Sequence, residues 1–156
     1  MMAWEFFGKY ATRWHNISMS RVFKTRYFSR WMRKTALTDP ALCAAVEEMR
    51  CGLVDADLGG GVVKKRVALP GRGKSGGART LVATRLGNRW FFVFGFEKSA
   101  RANISAVELE ALQALASQLL ARTPAQLNKA VEDGFLQEIC HERQDPHQAS
   151  RQESDP

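Results

Sequence analysis

The chain is 156 residues long, 45% hydrophobic and 25% charged, with a formal net charge of +7, proportions that suit one soluble globular domain with a real core. No run approaches the ~20 apolar residues of a membrane helix, and Met1–Ser18 lacks the long apolar run and small-residue cleavage site of a secretory signal. No membrane partner is expected, and the expected location is the cytoplasm.

In chain order, "SRVFKT" reads as a short strand with Val22 and Lys24 on one side and Phe23 and Thr25 on the other. "RYFSRWMRKTAL" spaces Tyr27, Phe28, Trp31 and Met32 at helical intervals. A second helix starts at Thr38 or Asp39, either of which caps it, with Pro40 suited to the first turn. Its apolar stripe is Leu42, Ala45, Val46, Met49 and Leu53. The two helices form a hairpin over a sheet. In "GVVKKRVALPG", alternation places Val63, Lys65, Val67 and Leu69 on one face and Val62, Lys64, Arg66 and Ala68 on the other. "ARTLVATRL" follows, with Arg79, Leu81, Ala83 and Arg85 sharing a face. A turn at Gly87-Asn88 leads into "RWFFVFGFEK", where Trp90, Phe92, Phe94, Phe96 and Lys98 are expected on one side of a central strand.

The rest reads as helical. Ser105 and Glu108 make a capping box before Leu109, Leu112, Leu115 and Leu119, and Thr123 with Gln126 repeats it before Leu127, Ala130 and Val131. Gly134 ends that helix. The polar stretch 143–156 is expected to be disordered. The fold class is α+β: an N-terminal strand and helical hairpin packed on an antiparallel meander, with C-terminal helices.

Charge is unevenly placed. Residues 19–103 hold 17 Lys and Arg against 6 Asp and Glu, and residues 104–156 hold 4 against 9. A basic body with an acidic C-terminal part points to a polyanion-binding surface. From Lys64 to Arg85 the chain carries Lys64, Lys65, Arg66, Arg72, Lys74, Arg79 and Arg85 and no acidic residue or histidine. Within it Gly71, Gly73 and Gly76 have the bare spacing of a dinucleotide fingerprint, and Gly73-Lys74-Ser75 resembles the end of a P-loop. A strand follows where both motifs need a helix, so neither is a nucleotide cradle. The glycines read as a hairpin loop carrying Arg72 and Lys74 at its tip. Structural pairing of the arginines with Asp55, Asp57 or Glu97, with Lys65 snorkelling, is the competing account. Cys43, Cys51 and Cys140 form an odd, unpatterned set, so neither a disulfide nor a zinc site is expected. No His, Cys and carboxylate cluster has metal spacing, so no metal or other cofactor is expected.

Three stretches carry a family likeness: "VVKKRVAL", "GRGKSGGARTLVA" with its GGxR ending, and "WFFVFGFEKSARANISAVELEAL". Over Ser20 to Glu142 the chain resembles RelE/HigB-type toxins of bacterial toxin–antitoxin pairs, within the RelE/ParE superfamily. The resemblance implies a ribosome-dependent endoribonuclease that cuts translated mRNA and is held inactive by an antitoxin, expected to be a small helix-turn-helix protein. It places the toxin domain at 19–142, with 1–18 as an extension from an upstream start codon or a genuine N-terminal helix.

RNA supplies its own nucleophile, the 2′-OH. The enzyme has to align it, move two protons and stabilise a phosphorane, with no metal required. The candidate catalytic residues are Lys64, Arg66, Arg79 and Lys98; Lys65, Arg72, Lys74, Arg85, Phe96 and Arg101 are candidate RNA-binding residues. Crowded positive charge lowers a lysine's pKa towards that of a base, and arginine suits an oxyanion. Several relatives place a tyrosine or histidine near the end of the last strand. Here "VFGFEK" offers Phe96, which stacks but transfers no proton, so the chemistry rests on the basic cluster as a whole. A non-catalytic nucleic-acid-binding protein using the same face, and a ParE-like toxin acting on DNA gyrase, are the alternatives.

Overall fold

The computed structural model describes residues 20–71 and 73–141, residues 73–75 by backbone only. The expected extension at 1–18, the polar tail at 143–156, Arg72 and the Lys74 side chain lie outside the described residues. Strand β1 (Arg21–Thr25) runs directly into helix α1 (Arg26–Met32), because the Thr25 hydroxyl accepts from Phe28 N and caps the turn. Helix α2 (Asp39–Arg50) is capped by Thr38 and has Pro40 in its first turn. Strands β2 (Ala56–Gly59), β3 (Val62–Leu69), β4 (Gly73–Thr84) and β5 (Arg89–Glu97) follow. Helices α3 (Ala106–Leu120) and α4 (Pro124–Glu132) both start on complete capping boxes, and β6 (Leu136–Ile139) closes the described chain.

The six strands lie in the order β2-β3-β4-β5-β1-β6. All neighbours are antiparallel except β1 and β5, which run parallel. The meander and both helical pairs are as the sequence predicts, except that β4 begins at Gly73, inside the glycine-rich segment read as a loop, with Leu69 paired to Gly73. Strands β2 and β6 are additions, since the reading had no strand between α2 and β3 and only helix at the end. At four residues each, with only Leu58 or Leu136 and Ile139 to show a pattern, they are too short for periodicity to register. Leu53 is also displaced: α2 stops at Arg50, Gly52 turns the chain at φ +89°, and Leu53 is 58% exposed rather than on the helix stripe.

The sheet separates two cores. Phe28, Met32, Leu42, Val46 and Met49 of the N-terminal hairpin pack on Val22, Val63, Val67, Val82, Trp90 and Phe92. Leu112, Ala116, Leu119, Leu127 and Ala130 of the C-terminal helices pack on Phe23, Val62, Leu81, Phe91, Val93 and Phe96. Two buried lysines clip the first layer together. Lys24 Nζ lies 2.8 Å from Asp39, and Lys65 Nζ lies 2.7 Å from Glu48. A disulfide joins Cys43 of α2 to Cys140, just past β6. This overturns the expectation of unpaired cysteines: residues 97 apart in sequence meet only because β6 returns to the sheet beside the hairpin.

One irregularity decides which aromatics face which core. Leu81 pairs with Phe94 and Val82 with Phe92, so β5 carries one extra residue at that point. The bulge reverses the alternation. Trp90 and Phe92 face the hairpin, while Phe94 and Phe96 face the side of the C-terminal helices, instead of all four sharing one side. Between them Gly95 is obligatory: a Cβ there would run into the Trp31 ring of α1.

Candidate nucleic-acid interface

Strands β3 and β4 place the arginines opposite each other. Arg66 pairs in register with Arg79, Lys64 pairs with Leu81, and Arg79 is flanked on its other side by Phe96. The three cations therefore project from the same side of the sheet as Phe94 and Phe96. Arg79 is only 7% exposed, with Nη1 3.4 Å from the Gly77 carbonyl. Arg66 is exposed, and its Nε and backbone N–H both donate to Asp55 (3.0 and 2.6 Å). Burial pushes the Asp55 carboxyl up, but the Arg66 hydrogen bonds, with the Arg66 and Lys65 charges, hold it below its usual range. So Asp55 accounts for one arginine, and the expected structural pairing holds there.

The turn between β5 and α3 forms the other wall. Lys64 Nζ donates to Asn103 Oδ1 at 3.4 Å, and the same oxygen accepts from Ile104 N at 2.9 Å. Arg101 donates to the Asn103 carbonyl (3.0 Å) and grips Glu108 with two nitrogens (3.0 and 2.6 Å). Its guanidinium carbon sits 6.0 Å from the Phe94 centroid and 5.7 Å from that of Phe96. Hydrogen bonding to Glu108, opposed by burial and aided by the charge of Glu108 and by Tyr27, raises the Arg101 guanidinium above its usual value. Lys98 is exposed in the same turn, two residues beyond Phe96, which puts it on the order of 10 Å from Arg79 at normal strand spacings.

Two expected members lie elsewhere. Lys65 points to the opposite face, 4% exposed, donating to Glu48 and to the Leu53 carbonyl (2.8 Å), so it is a structural lysine. Arg85 follows the end of β4, six residues and ~20 Å from Arg79. It lines a small hollow with Asn88, Arg89 and Leu120 at the far end of the sheet. The sequence reading missed Tyr27 and Asn103. The first was hidden in an apolar helical stripe; the second stood in the quoted "ARANIS" run without a role.

Glu108 holds Arg101 and caps α3 at once. The Arg101 hydrogen bonds, then those of Ser105, hold its carboxyl down to about 2. A carboxylate so acidic is a poor proton acceptor near neutrality, so it serves geometry rather than proton transfer. Its folded value lies below the ordinary 4.5, so the stability it adds is complete above about 4.5 and drains away as pH falls towards about 2. Glu108→Gln keeps the capping box and removes the charge. Melting curves across that window are expected to separate wild type from the variant at pH 5 and to converge near pH 2. A constant separation would mean that Glu108 does not carry the titration.

Comparison with curated proteins yields no match. A family profile described as the RelE toxin of the RelE/RelB toxin–antitoxin system matches residues 20–139, which takes in every element from β1 to β6. The α+β sheet just described is consistent with that fold, and the chain belongs to the RelE family, as the toxin half of a toxin–antitoxin pair.

Proposed function

We propose that this toxin is a metal-independent endoribonuclease that cuts mRNA on the translating ribosome. RelE toxins are generally mRNA-cleaving ribonucleases. The observation that carries the reading is the Arg66–Arg79 cross-strand pair with Lys64 on the same face. Like charges placed opposite each other destabilise a sheet, and a phosphate bound between the two guanidinium groups would offset that cost. In this reading Arg79 and Arg66 stabilise the phosphorane, and Lys64 and Lys98 hold the flanking phosphates and move protons. Phe96 supplies an apolar floor. Arg101, committed to Glu108, shapes the turn and offers its remaining N–H groups. Without a histidine or an ordinary carboxylate, the cluster is a weak catalyst alone, and alignment of the message by the ribosome, worth ~7–11 kcal/mol in favourable cases, would supply the missing rate. No described helix is long and apolar enough to cross a membrane, and the proposed site of action is the cytoplasm, where translation occurs.

The family implies an antitoxin. We read it as a small helix-turn-helix protein that covers the Lys64–Arg79 face with acidic residues. Expression of the toxin alone, followed by mapping of mRNA 5′ ends, tests the activity. New ends confined to translated regions are expected. Arrest with intact message and a DNA-damage response would point to gyrase, and salt-sensitive RNA binding without arrest would leave a binding protein only.

A further inference from the structure

Beyond Lys24–Phe92 the parallel pairing of β1 with β5 ends, so the last residues of β5 have no strand on that side among the described residues. The first turn of α1 fills the place. Thr25 caps the helix, and Tyr27 is set down on Phe94 with centroids 5.7 Å apart and ring planes 11° from parallel. Phe94 lies 6.4 Å from Phe96, and Arg101 sits over both. A row of rings thus leads from Arg79 out to Tyr27. Yet Tyr27 is 56% exposed: Phe94 backs one face of the ring, and much of the side chain meets solvent. A core aromatic buries both faces.

Resting on the reading of the basic face as an RNA interface, we propose that Tyr27 is a nucleobase platform. The base next to the bound phosphates stacks on its free face and extends the Phe94–Tyr27 stack by one ring. Three observations fit a base there. The ring is continuous with the cationic strip, as single-strand RNA tracks require, since the backbone follows charge while bases lie on aromatics. Tyr27, Phe94 and Glu108 line a cavity of about 970 Å³ together with Leu112, Leu115 and Leu119 of α3, so a base has room beside the ring. Cations outnumber carboxylates around it: Arg26, Arg122 and Lys129 line the cavity against Glu108 and Asp133, and Arg26, next to Tyr27, covers Phe135 at 4.8 Å. Stacking of this kind is tolerant of sequence and sets which nucleotide is held still, not which letter is read.

The test uses a short single-stranded 2′-O-methyl RNA, which has no nucleophile and stays uncut, carrying 2-aminopurine, whose fluorescence falls when it stacks. Wild type and Tyr27→Phe are expected to bind and quench it alike. Tyr27→Ala is expected to bind roughly 5- to 100-fold more weakly and to lose most of the quench, with the slope of affinity against salt unchanged. Arg79→Ala is expected to flatten that slope instead. Equal affinity and quench in wild type and Tyr27→Ala would overturn the platform while leaving the basic face as the RNA site. Failure of wild type to bind at low salt would sink the RNA reading and the platform with it. Unchanged RNA binding with lost antitoxin capture in Tyr27→Ala would assign the ring to the partner protein and overturn the platform.

Discussion

Arg79→Ala is expected to lower mRNA cleavage on the ribosome by roughly 10²–10³-fold, the usual effect of deleting one good donor to a developing oxyanion, and to release growth arrest at equal expression. Arg79 stands at the middle of the proposed site: opposite Arg66, beside Phe96, and just past the glycine-rich segment. It is also nearly buried and bonded to the Gly77 carbonyl, so truncation leaves a gap and costs some stability as well. Arg79→Lys separates the two effects. Lysine keeps the stem and the charge but not the planar fork that binds phosphate with two parallel bonds. It is expected to melt close to wild type and still cleave poorly. Full toxicity in a folded Arg79→Ala protein would remove Arg79 from the site.

Alternation made most of this face legible. In β3 it separates Lys64 and Arg66 from Lys65, and the structure keeps that division. Counting Lys65 among RNA ligands put charge ahead of parity. Its side chain shares a face with Val63 and Val67, and the partner that lets it stay buried, Glu48, comes from helix α2, which no local pattern reveals. Arg85 had the right parity and the wrong distance, because parity says nothing about position along a strand. The β5 bulge was invisible because one extra apolar residue in "WFFVFGF" leaves composition and apparent period intact, while it decides that Phe94 and not Phe92 faces the site. Tyr27 was concealed by its neighbours. Phe28 and Met32 form the buried stripe with Trp31 half-buried beside them, and Tyr27 sits in the first turn at its margin, where helical spacing alone does not distinguish core from rim.

Reduction of the Cys43–Cys140 bond is expected to cost up to about 4–5 kcal/mol, the chain-entropy value for a loop near 100 residues, a large share of the stability of a domain this size. The bond lies on the hairpin side of the sheet, away from Lys64, Arg66 and Arg79. Cleavage per folded molecule should therefore be unchanged, while the melting temperature falls. Disulfides are rare where translation takes place, since thiol systems there keep cysteines reduced, so under the proposed function the working protein would be the less stable dithiol form and the oxidised form the one isolated in air. Thiol counting in denaturant, before and after reductant, tests this. Air-isolated protein is expected to show one reactive thiol, the exposed Cys51, and reduced protein three. A Cys43→Ser, Cys140→Ser variant is expected to melt like reduced wild type whether or not reductant is added. Three thiols in air-isolated protein would mean that the bond does not form in solution. The packing of β6 beside β1 and the Arg21–Glu138 ion pair at 2.8 Å would then hold the C-terminal strand without it.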